Sequence, residues 1–106
     1  MDRLEQFLRC TPGGITLLHE NEKGIYGDTA ERCLDILSYF EGTPLLATFD
    51  PANLIQVGEP SEPGAFNLLK PYIAYVHVKD ALYQTGEVVP AGMGDAAWPQ
   101  LIEALR

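Results

Sequence analysis

The chain has 106 residues, of which 46% are hydrophobic and 21% charged, a balance found in ordinary folded domains. That length suffices for one domain with its own core, and the formal charge of −8 argues against a nucleic-acid partner because it repels phosphate backbones. No apolar run approaches the roughly 20 residues that cross a bilayer, and no signal-peptide core is visible, so we expect a cytoplasmic protein without a membrane partner.

The first forty residues predict a helix, a strand and a second helix. Apolar residues at helical spacing indicate a short first helix that ends at the Pro-Gly-Gly turn 12–14. An apolar run that closes on His-Glu predicts a strand near residues 15–20. Asp28 and Thr29 offer an N-cap, and the apolar stripe after them predicts a helix near residues 29–41.

The remaining residues predict two further strands and two helices. Residues 51–64 contain three prolines, so we expect mainly loop there, and a second loop is expected over residues 81–94. Asp95 is the expected N-cap of the last helix. The predicted elements are strands near 45–50 and 72–78 and helices near 65–70 and 95–105.

Strands that alternate with helices predict parallel pairing through right-handed crossovers. The fold class is therefore expected to be α/β, built from parallel βα units. An antiparallel meander would contradict this interpretation.

Each predicted strand ends in a residue that can bind a metal ion: Glu20, Asp50 and His77. The C-terminal ends of parallel strands share one edge of the sheet, where α/β proteins place their sites. Two carboxylates and one imidazole suit Mn²⁺, Mg²⁺, Co²⁺ or Zn²⁺; alternatively, each residue merely caps its strand or a helix. Period-two alternation predicts that the inward face also carries Leu18, Leu46, Ile73 and Tyr75.

Four segments carry a resemblance to a known family. They are LHENEKGIYGDT (18–29), FDPAN (49–53), YVHVKDA (75–81) and PAGMGD (90–95). In this order they resemble the xylose isomerase-like TIM barrels, a superfamily that includes sugar phosphate isomerases and epimerases, inosose dehydratases, hydroxypyruvate isomerases and endonuclease IV-type enzymes. The resemblance implies that residues 1–106 form a single partial domain, strands five to seven of a TIM (β/α)8 barrel with their helices, or about half of the barrel.

The family resemblance also implies roles for individual residues. Members of the family hold a divalent metal with Glu, Asp, His and Glu on strands five to eight. The first three correspond to Glu20, Asp50 and His77, and the fourth has no counterpart in this chain. Asn53 stands where many members have His and is the implied substrate-binding position. Lys79 is the candidate for a catalytic and substrate-binding role; the alternative is an exposed lysine at a strand end.

The activity implied by the resemblance is that of a metal-dependent sugar or polyol isomerase/epimerase. The metal would polarise a carbonyl, Glu20 would move the proton on the neighbouring carbon, and Lys79 would neutralise an enediolate or a substrate phosphate. The alternatives are an inosose-type dehydratase and a non-catalytic half-barrel that only assembles or binds. A DNA-repair endonuclease of the same superfamily agrees less well with the charge of −8.

Three barrel strands on their own leave an apolar face and two strand edges open. We therefore expect the 106-residue chain to form a homo-oligomer, most simply a two-fold dimer. We also expect it to have little or no isomerase activity alone, because half of the pocket wall is absent.

Overall fold

A computed structural model describes residues 2–106 of the chain. Its three main strands are β1 (Leu17–Glu20), β2 (Leu45–Phe49) and β3 (Ile73–Val76), and they form a parallel sheet in the order β1-β2-β3. The α/β class and the parallel pairing are thereby confirmed. Four of the five side chains of the central strand β2 are buried, as expected for a parallel strand that helices cover.

Helices precede, connect and follow the strands. A kinked turn (Ser61–Ala65), in which Glu62 is extended, leads into the fourth helix, and a 3₁₀ turn (Lys70–Tyr72) leaves it. None of the helices in residues 2–106 is both long enough and apolar enough to cross a membrane. The helices are α1 (Asp2–Cys10), α2 (Ala30–Tyr39), α3 (Pro51–Gln56), α4 (Phe66–Leu69) and α5 (Trp98–Leu105).

The segment that follows β2 is a helix, so the expectation of loop was wrong for its first six residues. Pro51 lies in the first turn of α3, where a missing N–H leaves no helical hydrogen bond unmade. The Asp50 carboxylate accepts a hydrogen bond from the backbone N–H of Asn53 at 3.0 Å and thereby caps the helix. Leu54 and Ile55 are buried in the core. The proline here starts a helix instead of preventing one.

The last helix begins at Trp98, and the expectation that Asp95 caps it was wrong. Ala97 precedes the helix with a left-handed φ of 57°, and no side chain caps the first turn. The Asp95 carboxylate accepts a hydrogen bond from the backbone N–H of Tyr83 at 2.8 Å. Asp95 therefore ties together two parts of the segment that follows β3.

The segment between β3 and α5 is more ordered than the loop expected over residues 81–94. It contains two short strands, β4 (Asp80–Ala81) and β5 (Val88–Val89), which pair in antiparallel fashion. The side-chain amide of Gln56 donates a hydrogen bond to the Gly86 carbonyl at 2.9 Å. This contact fastens the hairpin to the end of α3.

Ile73 lies on the helix-covered face of the sheet, contrary to the expected inward direction. It pairs with Ala47, whereas Tyr75 pairs with Thr48, so the register slips by one residue at Ala74. Partners in a parallel ladder point to the same face, and such an irregularity inverts the alternation on one side of it. Ile73 consequently packs against the core.

The core lies between the sheet and the helices. Its most deeply buried members include Leu37, Phe49, Leu54, Leu69 and Leu101. On the opposite face of the sheet Leu18 and Tyr75 are 44% and 58% exposed. The homo-oligomer inferred from an open inner face remains a prediction.

Cys33 gives the fold a predicted sensitivity to alkaline pH. This α2 thiol is buried and lies 3.3 Å from the Gly27 carbonyl oxygen. Burial, assisted by the charges of Glu59 and Asp28, raises its pKa from 9.0 to about 12. Above pH ~9 the unfolded chain loses this proton while the folded chain keeps it, so stability falls between about pH 9 and 12, by about 2 kcal/mol at pH 10.5.

Urea unfolding at pH 7.5 and pH 10.5 measures this loss. Cys33→Ala should lose less stability between the two pH values than the unmodified chain. Cys10→Ser alters an exposed thiol and serves as the control, which should behave like the unmodified chain. The same pH dependence in all three proteins would contradict the assignment to Cys33.

Candidate metal centre

Glu20, Asp50 and His77 meet at the C-terminal edge of the parallel sheet. Glu20 is the last residue of β1, while Asp50 and His77 directly follow β2 and β3. The backbone N–H of His77 donates to the Phe49 carbonyl at 3.0 Å, so pairing between the two strands continues to the site. One potential ligand atom from each of the three side chains lies within 4.8 Å of the others.

The imidazole of His77 is in direct contact with both carboxylates. Nδ1 of His77 lies 3.0 Å from Oε2 of Glu20 and 3.2 Å from Oδ2 of Asp50. The Asp50 side chain is 0% exposed, whereas the side chains of Glu20 and His77 are 33% and 41% exposed. The cluster is therefore anchored on a buried carboxylate and opens to solvent on the side of the other two residues.

Lys79 brings a cation to the same place. Its Nζ lies 3.2 Å from Oδ2 of Asp50, and its side chain is 38% exposed. A carboxylate buried as deeply as that of Asp50 needs hydrogen bonds or a counter-charge to offset its lost hydration. Lys79 supplies that charge from the solvent side.

Asn21 joins the ends of β1 and β2 behind the cluster. Its Nδ2–H donates to the Asp50 backbone carbonyl at 2.8 Å, and its Oδ1 accepts from the Asp50 backbone N–H at 2.8 Å. The residue is only 1% exposed. Sequence analysis did not single it out, and the one available signal was its position directly after Glu20.

Asn53, the expected substrate-binding residue, lies on the protein side of the cluster. It is 5% exposed, and its Nδ2 donates to Oε2 of Glu20 at 3.1 Å and to the Asn21 carbonyl at 2.8 Å. Both amide hydrogens are therefore used within the protein, where they orient the Glu20 carboxylate. A contact between Asn53 and substrate remains a prediction.

The donor set fits a divalent metal ion. Ligand bonds of about 2.0–2.2 Å place two ligand atoms of one ion no more than about 4.4 Å apart, so a small side-chain rotation would suffice from the observed 4.8 Å. His77 Nδ1 faces two carboxylate oxygens, although a ring nitrogen carries at most one hydrogen. A cation held among the three side chains would satisfy both carboxylates and the imidazole together. Glu20, Asp50 and His77 are thus the residues that could hold it.

Comparison with known proteins gave one family match. The profile of the family described as Xylose isomerase-like TIM barrel matches residues 2–106. No curated protein and no solved structure matches the chain. The matched range contains Glu20, Asp50 and His77, so the likeness does not depend on a single motif.

Proposed function

The chain belongs to the xylose isomerase-like TIM barrel family, and on that premise we propose that it carries the metal centre of a sugar or polyol isomerase/epimerase. The proposed reaction transfers a proton beside a carbonyl by way of an enediolate. The observation that carries the proposal is the convergence of Glu20, Asp50 and His77 at one sheet edge, with Lys79 in contact with the same cluster.

In this proposal Glu20 moves the proton on carbon. In the part of the chain that the structure describes, its Oε2 bonds to His77 and Asn53 while its Oε1 has no hydrogen-bond partner. One oxygen is thus held in place and the other is available to accept a proton, as a positioned general base requires. A divalent ion held by Glu20, Asp50 and His77 would supply polarisation of the substrate carbonyl.

Lys79 is the proposed partner of the negative charge that develops on the substrate oxygens. Its ammonium group already lies beside the carboxylate of Asp50 and is partly exposed. A fixed cation at the place where charge develops lowers the barrier because it does not need to reorganise during the reaction. Glu20 and Lys79 would therefore act on the carbon and on the oxygens of the same substrate, which we propose is a small sugar or polyol.

A planar enediolate mimic tests this proposal without requiring turnover. Glycolohydroxamate should bind the Mn²⁺-loaded chain, and Lys79→Met should weaken that binding by about tenfold, the equivalent of one charge-assisted hydrogen bond. The measurement is isothermal titration calorimetry, with hydroxamate and Mn²⁺ in buffer as the blank. The control is Lys70→Met, which changes a lysine in the 3₁₀ turn before β3 at the other end of the sheet. Equal affinity of both variants would remove Lys79 from the proposal.

A further inference from the structure

A second buried carboxylate lies next to the metal centre without belonging to it. Asp80 is 0% exposed and follows Lys79 in the chain. Its Oδ1 accepts the backbone N–H groups of Ala81 and Ala96, each at 2.9 Å. Its Oδ2 accepts those of Gly92 and Gly94, each at 3.0 Å. Hydrogen bonds from four backbone amides replace the hydration that this carboxylate loses on burial.

The segment around Asp80 is shaped to approach the carboxylate closely. A Cβ atom on Gly94 would lie 2.5 Å from the Ala81 carbonyl oxygen and 2.5 Å from Oδ1 of Asp80. Gly92 has a φ of 92°, a conformation that residues with a side chain rarely adopt. Residues 92–96 therefore wrap around Asp80 at a distance that only a glycine at position 94 allows.

Both neighbours of Asp80 are tied to the same part of the chain. The indole N–H of Trp98 donates to the Lys79 carbonyl at 2.8 Å. On the other side, the backbone N–H of Asp95 donates to the Ala81 carbonyl at 2.9 Å. Residues 92–98 thus hold three consecutive residues, Lys79 and Ala81 through their carbonyls and Asp80 through its carboxylate. The Lys79 side chain extends from this fixed segment to the Asp50 carboxylate.

We propose that Asp80 is a positioning residue for Lys79. Its carboxylate binds backbone amides of residues 92–96 and so holds that segment against the chain next to Lys79. This contact fixes the direction in which the Lys79 ammonium group extends toward Asp50. In residues 2–106 the hydrogen bonds of the Asp80 carboxylate go to backbone amides and not to Glu20, Asp50 or His77. The catalytic purpose of an ordered Lys79 rests on the proposed function. The order of the Lys79 side chain itself is a property of the metal-free chain and can be measured there.

NMR relaxation of ¹³C-methyl groups on the lysines tests whether Asp80 keeps the Lys79 side chain ordered. The sequence contains three lysines, Lys23, Lys70 and Lys79, and reductive ¹³C-methylation labels all of them while preserving their charge. In the unmodified chain the Lys79 methyl groups should relax as an ordered side chain. In Asp80→Asn, whose carboxamide has a single acceptor oxygen, they should become as mobile as those of Lys23. Relaxation reports mobility directly, and the effect of losing a nearby charge is measured separately with Asp95→Asn.

The matched control is Asp95→Asn, which removes a charge and weakens the side-chain bond to the Tyr83 N–H but keeps the backbone bond from residue 95 to the Ala81 carbonyl. It should leave Lys79 ordered. A folded Asp80→Asn chain with Lys79 still ordered would overturn the proposal. If Asp80→Asn does not fold, Trp98→Phe removes the donor to the Lys79 carbonyl, together with part of a buried ring, and should mobilise Lys79. An ordered Lys79 in that variant would mean that the bonds between residues 79–81 and residues 92–98 do not order its side chain, which overturns the proposal.

Hydroxamate binding separates this inference from the proposed function. Asp80→Asn should lose hydroxamate affinity to the same extent as Lys79→Met while it retains Mn²⁺ binding. If the unmodified chain binds no hydroxamate, the proposed function fails, whereas the relaxation result still decides whether Asp80 positions Lys79.

Discussion

Replacement of Asp50 by Asn is expected to weaken Mn²⁺ binding by at least about 100-fold and to leave the fold intact. Loss of groups that merely orient a ligand already reduces metal affinity by about 10–100-fold, and Asp50 would be a ligand itself. Its carboxylate lies beside both His77 and Lys79, and a neutral carboxamide cannot offer the same charge to a cation. Isothermal titration with Mn²⁺ measures the change.

The same substitution separates the metal role of Asp50 from its role in the fold. Asn is as good an N-cap as Asp, so Asp50→Asn can still accept the hydrogen bond from the Asn53 backbone N–H that begins α3. Asp50→Ala should lose the metal and in addition about 1 kcal/mol of stability from the lost cap, measured by urea unfolding.

An exposed acid provides the control for a general effect of charge. Asp35 bonds to the Tyr26 hydroxyl at the surface, so Asp35→Asn changes the net charge as much as Asp50→Asn does. It should bind Mn²⁺ like the unmodified chain. Equal weakening by both variants would show that Mn²⁺ responds to the overall acidity of the chain and not to the cluster.

The second large effect is expected at Gly94, where alanine should destabilise the fold by about 2–3 kcal/mol through overpacking. The added Cβ would lie 2.5 Å from the Ala81 carbonyl oxygen and 2.5 Å from Oδ1 of Asp80. The first is a backbone atom, and the second belongs to a carboxylate held by four amides. Neither can move aside cheaply, and the loss is a large share of the roughly 5–15 kcal/mol that stabilises a domain.

Urea unfolding of Gly94→Ala and of Gly13→Ala measures this effect. Gly13 has no atom within 4 Å of an added Cβ and no positive φ, so its substitution should change stability little. A Gly94→Ala chain as stable as Gly13→Ala would mean that residues 92–96 do not pack against Asp80 as described.

The parallel sheet was predictable because it depends on local patterns. Runs of apolar residues that end in polar ones define β1, β2 and β3, and alternation with helices implies their parallel order. Helix α3 was missed because prolines were interpreted only as helix breakers, although Asp50-Pro51 is also a typical helix start. The inward direction of Ile73 was wrong because a register irregularity at Ala74 leaves no mark in a pattern of apolar residues.

The candidate site was predictable to the extent that it lies at strand ends. Glu20, Asp50 and His77 could be identified because parallel strands bring their C-terminal ends together. The inward hydrogen bonds of Asn53 could not be predicted from the sequence, because its partners Glu20 and Asn21 lie more than thirty positions earlier in the chain. The partners of Asp80 are backbone amides, which carry no residue-specific signal. Contacts between distant segments therefore required the structure.

The most direct test of the metal centre is a crystal grown with saturating Mn²⁺ and measured at the manganese absorption edge. The account predicts one anomalous peak among Glu20, Asp50 and His77, with ligand bonds of about 2.0–2.2 Å. The Asp50→Asn chain, treated in the same way, should lose that peak. Manganese bound elsewhere in the unmodified chain, with none among these three side chains, would contradict the central claim.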